Sequence, residues 1–534
     1  MSVSAMDENL DENAIHEIEE ELSTKIYPGT EIMRDVGAHH FVRAGDTVGE
    51  GQVLVPQPSN DPHDPLNWST TWKVITVLCG SVLSFSLNLG PLANAPLFGV
   101  AILVLGFSNF IWVPMYNCFG RRCVMILSSL VCAMSSIWRA RATSYNSFMG
   151  ASVLNGIGAG PCETIMPQII ADMIFLHNRG KYQTLYFTAY FSSLMVGPII
   201  AGAMAQNHGW RSFWWFNTAL LFFTFALNVL LFPETRYRRE IPSADRDTVA
   251  ELKEKQSRDG PQSIQEAEAR TGTTAGLNLT GEHPCLFRGG PSKKQFLPWC
   301  AYEGDIWREL WLPWYLHIYP IVEFAAFVVS FSAAGFLLVN LTQQQALSPA
   351  PWDFSSQSVG FTNFAILVGA LAGLLTSGPL SDWVADYLTK RNNGVREPEM
   401  RLVTMVPYVL IMILGSVVTA VGYDRQWKWE VIVVVGYTCL GIQVTSLPSI
   451  ASTYSIDSYK PVTGAMFVTI TINKNVWGYG VSKYITPWAA ESGFVPPMLT
   501  TMALITFVCS FGILFWYCGK YFRGLTKDSF VHKL

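Results

Sequence analysis

The chain has 534 residues, 50% hydrophobic, 13% aromatic and only 14% charged, with a mean hydropathy of +0.26. Soluble domains carry about 25% charged residues, so this deficit calls for a solvent other than water. The net charge of −4 sits in short polar stretches, which excludes a broad basic face for nucleic acid.

Residues 1–66 are acidic and rich in turn formers, with Glu17-Ile18-Glu19-Glu20-Glu21 and Pro56-Gln57-Pro58-Ser59-Asn60-Asp61-Pro62. No apolar core of a signal peptide lies near the start, so a largely disordered cytosolic tail is expected ahead of an uncleaved first span. A bilayer core about 30 Å thick needs about 20 apolar residues as helix. Runs that meet this need lie at 72–89, 98–116, 124–137, 148–175, 185–205 and 213–232, and again at 313–339, 359–377, 402–421, 431–450, 462–481 and 498–517. The expected domains are therefore a first bundle (67–233), a cytosolic linker (234–312), a second bundle (313–520) and a cytosolic C-terminal tail (521–534). A short amphipathic helix is expected at 306–312. Cations fall on the tail's side of the membrane by roughly two to one, which places both termini in the cytosol, although Arg139 and Arg141 run against the trend. The first two spans are joined only by Gly90-Pro91-Leu92-Ala93-Asn94-Ala95-Pro96. Either this is a hairpin of short helices, or residues are missing near Val100-Ala101.

The ten cysteines lie mostly in apolar runs without a CxxC pair, as small buried hydrophobes do. No metal-ligand spacing, nucleophile elbow or phosphate-binding loop is present, so neither an enzyme, a cofactor nor a metal is expected. The absent phosphate loop also argues against ATP-driven pumping. Sequons at Asn67 and Asn278 fall in the cytosol and the one at Asn340 at the membrane surface, so none reads as a glycosylation site.

Two glycine-bearing basic stretches follow the second span of each half: Phe119-Gly120-Arg121-Arg122 and Gly378-Pro379-Leu380-Ser381-Asp382-Trp383. Such duplication marks an internally repeated transporter. With Asp64-Pro65-Leu66-Asn67-Trp68, Asn109-Phe110-Ile111-Trp112-Val113-Pro114, Gly197-Pro198-Ile199-Ile200-Ala201-Gly202, Gly209-Trp210-Arg211 and Pro233-Glu234-Thr235, the chain resembles the major facilitator superfamily. The likeness is to its fungal proton-antiporter-like branch of drug and polyamine transporters. That resemblance implies an all-α membrane protein of two six-helix bundles, with the first, fourth, seventh and tenth spans around a central cavity. It also implies a multi-pass protein of the plasma membrane, acting as a monomer on a small molecule with protons as coupling ion. The chain departs from the pattern in three places. Asn117 stands where the family usually has Asp, Ser152 where it usually has Arg, and the first external loop is lacking.

Ionisable groups in hydrocarbon are costly and mark function. Glu163 sits about 22 Å into the fourth span and Glu323 about 15 Å into the seventh, at 1.5 Å per residue. In the resembling fold they would face each other across the halves, able to exchange a proton for an organic cation. Lys474, between Asn473 and Asn475, would neutralise one of them or meet an anion. Asn88, Tyr190 and Gln443 complete the candidate substrate or proton site, with Asn94, Tyr186 and Thr445 beside them. Arg121, Arg122, Asp382, Arg391 and Asp457 are the candidate cytosolic gate, in which Asp382 would benefit from a helix N-terminus and hold an arginine of the other half. Gly197, Pro198 and Gly202 resemble the antiporter packing motif that seals the halves externally. The sequence leaves three functions open: proton antiport of an organic cation, uptake of a sugar, vitamin or organic anion, and a non-transporting sensor or inactive splice form.

Overall fold

Hydrocarbon offers the backbone no hydrogen-bond partners, so each apolar run must satisfy its own amides as a helix. The computed structural model describes residues 27, 29–32, 59, 61–90, 95–237, 287–302, 304–392, 395–459, 462–527 and 529. In the first half the helices are α1 (Thr70–Asn88), α2 (Ala95–Phe119), α3 (Arg121–Arg141), α4 (Tyr145–Ala159), α5 (Pro161–Met173), α6 (Leu176–His208) and α7 (Trp210–Leu231). The second half holds α8 (Ile306–Leu316), α9 (Pro320–Leu347), α10 (Ser356–Arg391), α11 (Met405–Asp424), α12 (Thr438–Ser458), α13 (Thr463–Ser492) and α14 (Val495–Leu525). A π-helical turn over Val431–Tyr437 leads into α12.

Among the described residues, ten helices are long and apolar enough to cross a membrane. The fourth and eleventh spans of the sequence reading fall outside that set. The fourth is divided at Gly160 into α4 and α5, and the eleventh, α13, is diluted by Asn473, Lys474 and Asn475. These two segments carry Glu163 and Lys474. Large apolar side chains face outward, among them Phe223, Leu230, Leu410 and Ile513, as a lipid-facing surface requires. Each half has its own buried core, one around Tyr116, Ile165 and Leu221, the other around Phe324, Leu447 and Tyr454.

Several connections differ from expectation. Val100 and Ala101 lie within an unbroken α2, and residues 91–94 of the short link from α1 lie outside the described residues. The seventh span divides: α8 extends the expected amphipathic helix to Leu316, and α9 starts anew at Pro320, whose ring supplies no amide. Much of the N-terminal tail and the linker residues 238–286 also lie outside the described residues. Two described parts of the tail pack against the bundles. Glu31–Ile32 (β1) pairs antiparallel with Val395–Arg396 (β2), while Asp64 caps Pro65–Asn67 against α1. Arg139 is buried inside α3, its guanidinium 4.5 Å from the Trp214 ring, so it does not count as a loop cation against the charge bias.

Candidate substrate site and charge clusters

Glu163 owes its position to a proline, a glycine and a tryptophan. Pro161 has no N–H to give the Ile157 carbonyl, and the Trp112 indole of α2 donates to that oxygen instead at 2.7 Å. Gly160 lets α2 approach, since a Cβ there would collide with the Ser108 hydroxyl. The helix therefore restarts at Pro161 and places Glu163 in its first turn, where the dipole favours a carboxylate.

The Glu163 carboxylate is 7% exposed and pairs with the Lys474 ammonium of α13, which is 17% exposed. The Tyr190 hydroxyl of α6 donates to Glu163 Oε1 at 2.6 Å, and the Asn475 amide donates to Oε2 at 3.2 Å. Lys474 Nζ also lies 3.3 Å from the Tyr190 hydroxyl. The cluster thus joins α5 and α6 of the first half to α13 of the second. It forms one wall of a cavity holding about 1150 Å³ of empty space, part of it open to solvent. Phe187, Phe191, Phe336 and Phe467 provide the apolar wall, and Glu163 and Lys474 are the charged groups on the lining.

Of the other candidates, Asn88 lines the cavity and donates to Cys162 Sγ at 3.1 Å, fixing the turn next to Glu163. Tyr186 donates to the Cys162 carbonyl at 2.7 Å. Glu323 does not face Glu163. It sits in the first turn of α9 paired with the His317 ring and away from the cavity lining, because the break at 317–319 starts a new helix just ahead of it. Gln443 is fully buried beside the lining residue Val444, and neither of its amide atoms has a hydrogen-bond partner among the described residues. Thr445 lines the cavity, whereas Asn94 lies outside the described residues.

The residues expected to form a cytosolic gate fall into clusters inside each half. Arg121 pairs with Asp172 at 2.6 Å. Arg122 caps the C-terminal end of α7, bonding the carbonyls of Asn228 at 3.2 Å, Val229 at 2.6 Å and Phe232. Glu234 reciprocates by accepting the Arg121 and Arg122 amides at 3.0 and 2.9 Å, which is the N-terminus of α3. Gly120 adopts φ +101°, and a Cβ there would come within 2.5 Å of that carboxylate. In the second half Arg401 bridges Asp382 at 2.7 Å and Asp457 at 2.8 Å. The expected partner from the opposite half is therefore replaced by one from the same half. The dipole benefit expected for Asp382 is also absent, because α10 continues through Gly378-Pro379 and carries Asp382 toward its C-terminal part. Arg391 is exposed in the last turn of α10 with no ion pair among the described residues.

Sequence reasoning missed Asp172, Glu234 and Arg401 as partners. The Arg121–Asp172 and Arg401–Asp457 pairs stand at corresponding places of the doubled unit, each joining the start of its half's third span to the end of the fourth. Asn117 takes on a different task from the family's Asp: its amide donates to Glu309 of α8 at 2.6 Å and its oxygen accepts from Gln168 at 3.1 Å. An Asp at 117 would confront Glu309 with a like charge.

At the other end of the cavity the halves meet backbone to backbone. A Cβ at Gly202 would lie 3.2 Å from the Ser356 carbonyl, and one at Gly360 3.2 Å from the Pro198 carbonyl. Gly197 makes its close approach within the first half, to the Leu89 carbonyl.

The Major Facilitator Superfamily profile matches residues 68–473. The chain belongs to that superfamily. An MFS-type transporter of Schizosaccharomyces pombe is 24% identical, with 90% of this chain and 89% of the relative covered. Protein HOL1 of Saccharomyces cerevisiae is 24% identical over 91% and 92% of the two chains, and the probable efflux pump mfs2 of Aspergillus flavus 23% identical over 81% and 94%. Among solved structures, the proton:xylose symporter XylE superposes with a TM-score of 0.54 at 13% identity, covering 84% of this chain and 95% of that one. The human organic anion transporter MFSD10 gives 0.50 at 15% identity, over 85% and 100%. At these identities the solved structures speak for the fold alone. A multi-pass membrane transporter of two helical bundles follows.

Proposed function

We propose that this transporter moves a small amphipathic organic cation, of the drug or polyamine kind, across the fungal plasma membrane in exchange for protons. The observation that carries the reading is Glu163, the carboxylate of a cavity at the junction of the two halves whose lining, Lys474 and a few amides and hydroxyls apart, is aromatic and aliphatic. An ammonium beside Phe187, Phe191 and Tyr190 would gain both ion pairing and cation–π attraction. Access alternates as the halves rock about this point, with Gly202 and Gly360 allowing contact at one end and the Asn117–Glu309 bond at the other.

The test is uptake of a labelled cation, N-methyl-4-phenylpyridinium, into proteoliposomes containing the full chain under an imposed pH gradient. Glu163→Gln is expected to lower gradient-driven uptake by about a hundredfold, the effect of losing close to 3 kcal/mol. Retention of uptake by that variant would refute the cation reading. Inhibition by organic anions but not by cations would instead favour an anion substrate held by Lys474.

A further inference from the structure

The cavity is electrically neutral before any substrate arrives, because the ammonium of Lys474 already occupies the place on Glu163 that a substrate amine would take. We infer that Lys474 is the proton carrier of this transporter: a cationic substrate displaces it from Glu163, and it then sheds its proton to water. This rests on the cation reading above and assigns the exchanged proton to the amine rather than to the carboxylate.

A monovalent cation entering on Glu163 would leave the cavity with one uncompensated positive charge if Lys474 kept its own. Isolated charge in an apolar enclosure is strongly disfavoured, so either the substrate is rejected or a positive charge departs. Every group facing the ammonium limits which one. From α5 come Glu163 and Cys162, and from α6 Tyr186 and Tyr190. α9 contributes Val329, Ala333, Phe336 and Leu337, and α2 contributes Ile102 and Leu105, none of which titrates. The acid of α8, Glu309, bonds Asn117 and is not part of the lining. No second lining carboxylate among the described residues can absorb the charge, and Glu323 is occupied elsewhere with His317. A lysine can give up a proton, which an arginine cannot, and its flexible stem can swing aside. Asn475 and the Tyr190 hydroxyl remain on Glu163 while this happens and keep the carboxylate oriented.

The cycle balances. On one side the substrate cation binds Glu163, one N–H bond of Lys474 breaks and the proton goes to water. On the other side the cation leaves, Lys474 takes a proton from water, and the ion pair reforms. One cation crosses for one proton in the opposite direction, and the cavity stays neutral in both loaded and empty forms.

The experiment measures N-methyl-4-phenylpyridinium binding to the full-length protein in nanodiscs at several pH values. This probe has no exchangeable proton, so any proton released belongs to the protein. Wild-type affinity is expected to rise about tenfold per pH unit, the slope for one proton released per cation. Lys474→Gln, held neutral, should bind at least as tightly as wild type, and Lys474→Arg, held charged, at least about tenfold more weakly or undetectably. Equal affinity in the two variants, or a wild type whose binding releases no proton, would overturn the assignment while leaving the cation reading intact. A wild type that binds no cation would overturn both.

Discussion

Replacing Glu163 by glutamine keeps the side chain's volume and one of the two oxygens that accept from Tyr190 and Asn475, but removes the negative partner of Lys474. Breaking a buried ion pair from one side costs about 3–5 kcal/mol, because the remaining charge is left uncompensated. Lys474 borders a cavity that water can enter, which puts the cost near the lower limit, about 3 kcal/mol. Lys474→Gln is expected to cost a similar amount from the other side. The double variant, with no charge left to strand, should be little worse than either single one, giving an interaction energy of about 2–3 kcal/mol. The assay is unfolding of the full-length protein in mixed micelles titrated with SDS, read by tryptophan fluorescence. Single-variant penalties that simply add, within about 0.5 kcal/mol, would show that the two groups do not stabilise each other.

Three further outcomes are expected. In the Arg401 cluster, Asp382 is 51% exposed and Asp457 only 17%. Asp457→Asn should therefore lower stability by about 2 kcal/mol in the same unfolding assay, against about 0.5 kcal/mol or less for Asp382→Asn. Trp112→Phe orphans the Ile157 carbonyl at a cost of about 1–2 kcal/mol beyond lost packing, and Pro161→Ala, which restores a backbone donor, should remove that excess. An identical Trp112→Phe penalty in both backgrounds would contradict the account of the divided fourth span. Gly360→Leu should hold the halves apart beside Pro198 and reduce turnover in proteoliposomes by about tenfold or more, as misplacement remote from a site can. Probe binding should persist, and a variant with full turnover would argue against contact between the halves at that end.

Much of the architecture was legible in the residues because the bilayer permits few solutions. Apolar runs of membrane length had to be helices, and the paired Gly120-Arg121-Arg122 and Gly378–Trp383 stretches announced a doubled unit. The ionisable residues Glu163 and Lys474 stood out because hydrocarbon tolerates such groups only with a partner or a task. Proline and glycine were harder to interpret: Pro161 and Pro320 start new helices, whereas Pro379 lies inside an unbroken one. The difference depends on what else can satisfy the freed carbonyl, as Trp112 does for Ile157.

Partnership was decided by tertiary packing. Hydropathy ranked Glu163 and Glu323 alike, yet one meets Lys474 across the halves and the other meets a histidine six residues earlier in its own segment. Asp382 was recognisable as a charge just past an apolar run, but Arg401 links it to Asp457 only after three separate elements are packed together. The sequence by itself determined the spans, their doubling and the rare charges within them, because these depend on solvent and chain length. Which charges face one another was decided by the rotation and register of packed helices, and those follow from side chains distant in the chain.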